Sequence, residues 1–271
     1  MTTARRSRPD SRLVVATLPL VLFLTVPVVA LVGRALLAGG LWQSLTSPVV
    51  LTALRLSLAT TAVSLGLTVI LGTPLAYLLA RHTFRGSSLV ETAVDLPIVL
   101  PPSVAGLALL FVFGRQGLIG GALEVAGISI PFTTVAVVLA QLFVAAPFYV
   151  RSARTGIAAV DQDTEDAARV DGAAERDVFR WVTIPLAGTA LAAGIVMSWS
   201  RALGEFGATI MFAGNIEGRT QTLPLVVYSE FGGGDLDASV AAAAILVLAA
   251  FGVLVSVRLL RSARALDIRG G

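Results

Sequence analysis

Glu165-Asp-Ala-Ala-Arg-Val-Asp-Gly172 is a polar stretch in a chain otherwise built of long apolar runs, and Val182-Thr-Ile-Pro185 follows it after nine residues. Acidic residues early in a helix complement the positive end of its dipole, glycine ends helices, and proline marks the start of the next one. The stretch therefore predicts a pair of short helices, at about residues 158–187, between two apolar spans. Its charged and small residues favour a docking surface for a soluble partner over a merely solvated loop.

The composition places the chain in the membrane. Hydrophobic residues make up 56% of it and charged residues 14%, and the mean hydropathy is +0.86. A soluble domain has ~45–50% apolar and ~25% charged residues, and a bilayer-spanning helix needs about 20 apolar residues. We therefore predict an all-α integral membrane protein with six transmembrane helices, near residues 13–33, 53–80, 96–114, 135–157, 188–213 and 238–260.

The distribution of basic residues, all 20 of which are arginines, predicts the orientation. Most of them fall on the cytoplasmic side if both termini are cytoplasmic, as the positive-inside rule requires. The predicted order is a cytoplasmic tail (1–12), a transmembrane domain (13–260) and a second cytoplasmic tail (261–271). The first apolar run exceeds the ~7–15 residues of a signal-peptide core, so we interpret it as an uncleaved span.

The residue types that the sequence lacks exclude several kinds of chemistry. The chain has no cysteine, and its one histidine, His82, stands beside Arg81 in a short turn. Thiolate sites, histidine metal clusters and a Ser-His-Asp triad are therefore not expected. Without lysine there is no Walker A site, so if ATP drives the work of this chain, another subunit hydrolyses it. The basic pI of 10.1 is assigned to membrane topology, not to nucleic-acid binding.

The polar stretch resembles the coupling motif of ABC importer permeases, which is written E-A-A, three residues, G, nine residues, I, one residue and L-P. Here Asp, Val and Ile replace Glu, Ile and Leu at the same spacing. The resemblance implies a type I ABC importer permease fold, with short helices that fit a groove on a cytoplasmic ATPase. The residues it assigns to this coupling are Glu165, Asp166, Ala167, Ala168, Gly172, Val182, Ile184 and Pro185.

Two further stretches resemble the permeases of molybdate, tungstate and sulfate importers. They are Leu96-Pro-Ile-Val-Leu-Pro-Pro-Ser-Val-Ala-Gly106 and Ser200-Arg-Ala-Leu-Gly-Glu-Phe-Gly-Ala-Thr-Ile-Met-Phe-Ala-Gly-Asn215, and the second is more similar to the molybdate and tungstate branch. The resemblance implies a homodimer in a prokaryotic plasma membrane, an extracytoplasmic oxyanion-binding protein and a dimer of ATPase subunits. It implies a transport subunit that is not an enzyme and has no cofactor of its own, with ATP and magnesium on the partner ATPase. We expect no oxyanion-sensing domain after the sixth span.

Arg201 and Glu205 are four residues apart in the predicted fifth span, so they can pair on one helical face. An unpaired charge at the bilayer centre would cost ~2.5–3.5 kcal/mol, so the pair faces either the bundle or an aqueous path. Glycines near it allow close packing or a hinge, and the prolines of the third span either interrupt a helix or start one. The predicted path or gate residues are Arg201, Gly204, Glu205, Gly207, Thr209, Pro101, Pro102 and Ser103.

Three other interpretations remain open. A sulfate or thiosulfate permease would belong to the same class and would pair with a second, different permease chain. An ion-coupled secondary transporter also has intramembrane charges and broken helices, but the two halves of this chain show no convincing repeat. A structural membrane scaffold would leave the spaced motif from Asp166 to Pro185 unexplained.

Overall fold

The computed structural model describes residues 11–37 and 39–267, and every regular element in these ranges is helical. Most of the predicted N-terminal tail and the last four residues of the predicted C-terminal tail lie outside them. The helices are α1 (Ser11–Leu37), α2 (Gly40–Thr46), α3 (Pro48–Arg81), α4 (Ser87–Val99), α5 (Pro102–Phe113), α6 (Gly120–Val125), α7 (Thr134–Ala158), α8 (Gln162–Val170), α9 (Glu175–Val178), a π-helical turn (Phe179–Thr183), α10 (Ile184–Leu203), α11 (Gly207–Phe212), α12 (Leu223–Gly232) and α13 (Leu236–Asp267).

Five helical segments in the described ranges are long and apolar enough to cross a membrane, and a bent helix pair makes a sixth. The prediction of an all-helical membrane protein is confirmed. The five are Val15–Leu37, Pro48–Arg81, Thr134–Ala158, Glu175–Leu203 and Leu236–Val255.

The third predicted span, residues 96–114, is wrong as a single helix. The chain bends by 119° between helices α4 and α5. Leu100 is extended because a residue that precedes a proline avoids the helical region, and Pro101 and Pro102 form the cap and first turn of α5. Helix α4 begins at Ser87, inside a predicted loop, and at about 1.5 Å per residue neither half is long enough to cross the ~30 Å bilayer core.

The fifth predicted span, residues 188–213, is also interrupted. Helix α10 starts earlier, at Ile184, and stops at Leu203, with Gly204 as its cap. The chain turns through Glu205 before α11 begins at Gly207, because the Glu205 carboxylate accepts a hydrogen bond from the backbone N–H of Ala208. The chain thus begins α11, which a side chain caps, instead of continuing α10.

The connections between predicted spans that fall outside the membrane when the termini are cytoplasmic, at about 34–52, 115–134 and 214–237, contain helices α2, α6 and α12. Helix α12, in the predicted loop 214–237, belongs to the core: Leu223 and Val226 pack against Val50 of α3 and Ile245 of α13. Its first backbone N–H donates to Ser57 Oγ at 2.8 Å. The sequence prediction missed it because ten residues are too few for a membrane-span window.

Helix α7 forms the centre of the bundle, between α3 and α10. Alanines along it, such as Ala140, Ala145 and Ala153, are completely buried and let the neighbouring backbones come close. Tyr149 is the large side chain of this contact, and its hydroxyl lies 2.6 Å from that of Thr73 on α3. This central packing holds in place both the polar segment after α7 and the interruption after α10.

Candidate functional site

The polar 158–187 segment folds as the predicted helical pair. Asp161 caps α8 by accepting a hydrogen bond from the Asp163 N–H at 3.0 Å. At the other end Gly172 has φ +93°, and the N–H of Ala173 bonds back to the carbonyl of Ala168. This is a Schellman turn, whose left-handed position glycine fills without strain. The predicted role of Gly172 as the breaker between two helices is confirmed.

Arg169 bridges the bend between the two short helices. Its guanidinium binds Asp166 at 2.6 Å within α8 and Glu175 at 2.7 Å in α9. The hydrogen bonds to Glu175 and Asp166 raise the pKa of Arg169, and the bond from Arg169 lowers the pKa of Glu175. Because the folded-state pKa of Glu175 is depressed, this bridge stabilises the bend above the ordinary glutamate pKa and is lost as pH falls through the lowered value.

The predicted coupling residues divide between the surface and the interior. Asp166, Ala167 and Pro185 are exposed, while Ala168, Val182 and Ile184 are half-buried. Glu165 is 1% exposed, so its carboxylate is not available on the docking face. It pairs instead with Arg81 at 2.8 Å and accepts a hydrogen bond from Thr183 at 2.6 Å. The charge of Glu165 is therefore satisfied inside the protein and is not part of the exposed face, while its predicted part in ATPase coupling stays a prediction.

Arg81 and Thr183 were not singled out from the sequence. Arg81 is 84 residues from Glu165 along the chain, and no periodic pattern links the two. Thr183 stands between Val182 and Ile184, at the position that the motif leaves unspecified. Arg81 and Thr183 are identified by their buried contacts with Glu165, and burial can be determined only from the folded structure.

The two interrupted spans meet at their interruptions. A β-carbon placed on Gly207 would lie 2.7 Å from the Pro102 β-carbon, and one on Gly106 would lie 2.6 Å from the carbonyl oxygen of Ala208. The expectation of close packing therefore holds at Gly207. It does not hold at Gly204, where only Ser200, one turn back in its own helix, lies within 4 Å.

Arg201 and Glu205 form the predicted ion pair, with 2.6 Å between Nη1 and Oε2. The Glu205 side chain is completely buried and its other oxygen caps α11, whereas the Arg201 side chain is 29% exposed. The buried Glu205 carboxylate thus fixes the position of the partly exposed Arg201 guanidinium. Of the remaining predicted path residues, Pro101, Pro102, Ser103 and Gly204 are exposed, Gly207 is half-buried and Thr209 is buried.

Substituting Gly106 with alanine is expected to destabilise this contact. The added methyl group would meet the backbone of Ala208 and the Met211 β-carbon at 2.6–2.8 Å, and overpacking of this kind costs ~1–3 kcal/mol. The apparent midpoint of thermal unfolding of the solubilised protein should fall by several degrees. Gly66→Ala in α3 is the control, since nothing lies within 4 Å of it, and its midpoint should be unchanged or slightly higher. Equal midpoints for the two variants would contradict the tight contact.

Comparison with known proteins adds independent findings. A family model described as the inner membrane component of binding-protein-dependent transport systems matches residues 72–266, more than half of the chain. The molybdenum transport system permease protein ModB of Mycobacterium bovis is 44% identical over 237 residues, covering 88% of this chain and 89% of the relative.

A probable sulfate transport system permease protein of Chlorokybus atmophyticus is 36% identical over 207 residues, covering 76% of this chain and 72% of the relative. The crystal structure of a bacterial ABC transporter that imports alginate contains a chain that superimposes with a TM-score of 0.73. It is 16% identical and covers 92% of this chain and 93% of its own length, so this likeness concerns the fold alone.

Proposed function

We propose that this chain, which belongs to the family of inner membrane components of binding-protein-dependent transport systems, imports molybdate or tungstate as the permease subunit of an ABC importer. The observation that carries the oxyanion assignment is the 44% identity, over 88% of the chain, to a molybdenum transport permease. The cell membrane of a prokaryote is the proposed location, with an extracytoplasmic binding protein that delivers the anion.

The exposed face of the 158–187 segment is the proposed contact with the ATPase. Asp166 has a side chain 66% exposed, and Arg169 holds it next to Glu175, so the bend presents a fixed charged surface. The ATPase supplies the ATP and magnesium site, for which this lysine-free chain has no Walker A loop. A dimer of such ATPases would hold one segment from each of two copies of the permease.

The meeting point of the interrupted spans is the proposed translocation path. Helix interruptions inside a membrane are tolerated where they lie against protein or a water-filled cavity. Here Ser103 is exposed at the start of α5, where backbone N–H groups favour an anion, and Arg201 offers an accessible positive charge near the second interruption. Ser103 and Arg201 on two copies of the chain would then line one central path.

Sulfate import is the second candidate function. A sulfate permease relative at 36% identity favours it, and sulfate is a tetrahedral dianion like molybdate. The two functions make different predictions about competition, because a molybdate importer selects the larger anion and a sulfate importer the smaller.

The test measures uptake of labelled molybdate into proteoliposomes that contain this permease, its ATPase and its binding protein. We expect uptake that requires internal ATP, persists when ion gradients are dissipated and resists excess sulfate. Loss of uptake to sulfate would move the assignment to sulfate import. Uptake that needs an ion gradient and no ATP would contradict the ABC importer mechanism.

A further inference from the structure

Glu165 is where α8 is bound to the membrane-spanning helices. Its Oε1 accepts hydrogen bonds from Nη2 of Arg81 at 2.8 Å and from Oγ1 of Thr183 at 2.6 Å. Arg81 lies in the last turn of α3, and Thr183 ends the π-helical turn that leads into α10. The same Arg81 nitrogen donates to the carbonyl oxygen of Val160, in the turn after α7, at 3.1 Å. We call Arg81, Glu165 and Thr183 the Glu165 junction.

Burial distinguishes this junction from the other charge pairs of the segment. The Arg81 and Glu165 side chains are 8% and 2% exposed, whereas Asp166 and Glu175, which bind Arg169, are 66% and 69% exposed. Arg169 also approaches Glu165, but at the longer distance of 3.8 Å and with a side chain that is 31% exposed. Exposed pairs are screened and contribute little, but a buried pair that loses one member leaves an uncompensated charge. Separating the two charges of the junction therefore costs more free energy than separating the exposed pairs of this segment.

The backbone around Thr183 supports the same conclusion. A π-helical turn is rare in proteins and is often found at functional sites. This one buries Thr183 completely and brings its hydroxyl to the Glu165 carboxylate, while its own-turn acceptor, the carbonyl of Val178, is farther away at 3.4 Å. Tyr77 of α3 packs edge-on against Phe179 of the turn, with 4.9 Å between the ring centroids. The ring contact and the Glu165 junction thus both connect the end of α3 to the start of α10.

We infer that Glu165 is a positioning residue that transmits displacement of α8 to the ends of α3 and α10, and that it does not itself contact the ATPase. This inference rests on the proposed function, since it concerns how the ATPase drives the permease. A force on the exposed side of α8 moves Glu165, and the buried charge pair carries Arg81 and Thr183 with it. Without the pair, α8 can still dock, but its movement is no longer passed on.

The experiment uses the complete transporter in proteoliposomes and measures molybdate taken up per ATP hydrolysed. Glu165→Gln keeps the shape and the bond from Thr183 but removes the charge opposite Arg81. We expect the ratio to fall about tenfold while the ATPase still co-purifies with the permease. The double variant Arg81→Gln with Glu165→Gln leaves no buried charge unpaired, so the amount of folded permease should recover while the ratio stays low.

The matched control is Arg154→Gln. Arg154 pairs with Glu91 at the same distance, 2.8 Å, but joins α7 to α4 and is 40% exposed, so its loss should change the ratio by no more than about twofold. A Glu165→Gln complex as well coupled as the wild type, or a double variant that regains wild-type coupling without the charge pair, would overturn the inference alone. A wild-type complex without ATP-dependent uptake would overturn the proposed function and this inference with it.

Discussion

Gly172→Val is expected to lower ATP-driven uptake by about 5- to 30-fold while leaving the permease folded in the membrane. Gly172 has φ +93° and nothing lies within 4 Å of the position of a β-carbon, so the substitution strains the backbone without a clash. A left-handed conformation costs a side-chain-bearing residue ~1–2 kcal/mol, and β-branched residues adopt it least readily. That free energy corresponds to a shift of about 5- to 30-fold in a conformational equilibrium.

The expected effect is local because Gly172 sets the angle between α8 and α9. If the Schellman turn opens, Arg169 can no longer bind Asp166 and Glu175 at once, and the charged face loses its fixed arrangement. ATP hydrolysis by the assembled complex should continue, so the ratio of uptake to hydrolysis should fall. Gly172→Asn should be much milder, because asparagine tolerates the left-handed region.

Gly86→Val is the matched control for backbone strain. Gly86 has φ +92° and an equally open surrounding, but it lies between α3 and α4, outside the 158–187 segment. The two variants should therefore lose similar stability, while Gly86→Val retains the uptake-to-hydrolysis ratio to within about twofold. Equal losses of coupling in both variants would show that strain alone is responsible, and unchanged uptake in Gly172→Val would remove the bend from the mechanism.

The helical membrane fold could be predicted because long apolar runs leave a backbone in lipid few alternatives to the helix. The positions of the two interruptions could be predicted less well from the sequence. Pro101 and Pro102 indicated the first, since both restrict their own backbone and that of Leu100. The second depends on the hydrogen bond that the Ala208 N–H donates to the Glu205 carboxylate, which competes with continuing α10 in a way that hydropathy does not measure.

The candidate site was predictable where its residues are close in sequence. The spacing of four residues indicated the pairing of Arg201 with Glu205, although Glu205 lies beyond the end of α10 and not on its face. The bend at Gly172 follows from glycine chemistry. The role of Glu165 could not be predicted, because its partner Arg81 comes from another helix and only the packing of α3 against α7 and α10 brings them together. Neighbouring acids in one motif, Glu165 and Asp166, consequently have opposite environments.

Arg201→Gln is expected to reduce both the amount of folded permease and its transport, by at least about tenfold for transport. The substitution leaves the completely buried Glu205 carboxylate without its partner. Removing one member of a buried pair costs ~3–5 kcal/mol, and the lower end applies here because Arg201 is 29% exposed. Arg34→Gln is the control, since its pair with Asp237 is exposed on both sides and should contribute little.

Loss of transport in the single variant does not separate a folding role from an anion-attracting role, but the double variant Arg201→Gln with Glu205→Gln does. Both charges are then absent, and the glutamine at 205 still offers an oxygen to cap the Ala208 N–H. The amount of folded protein should recover, because no charge is left buried and unpaired. Transport should stay low if the accessible guanidinium attracts the dianion, whereas recovery of wild-type uptake would make the pair a purely structural support and contradict the placement of Arg201 in the path.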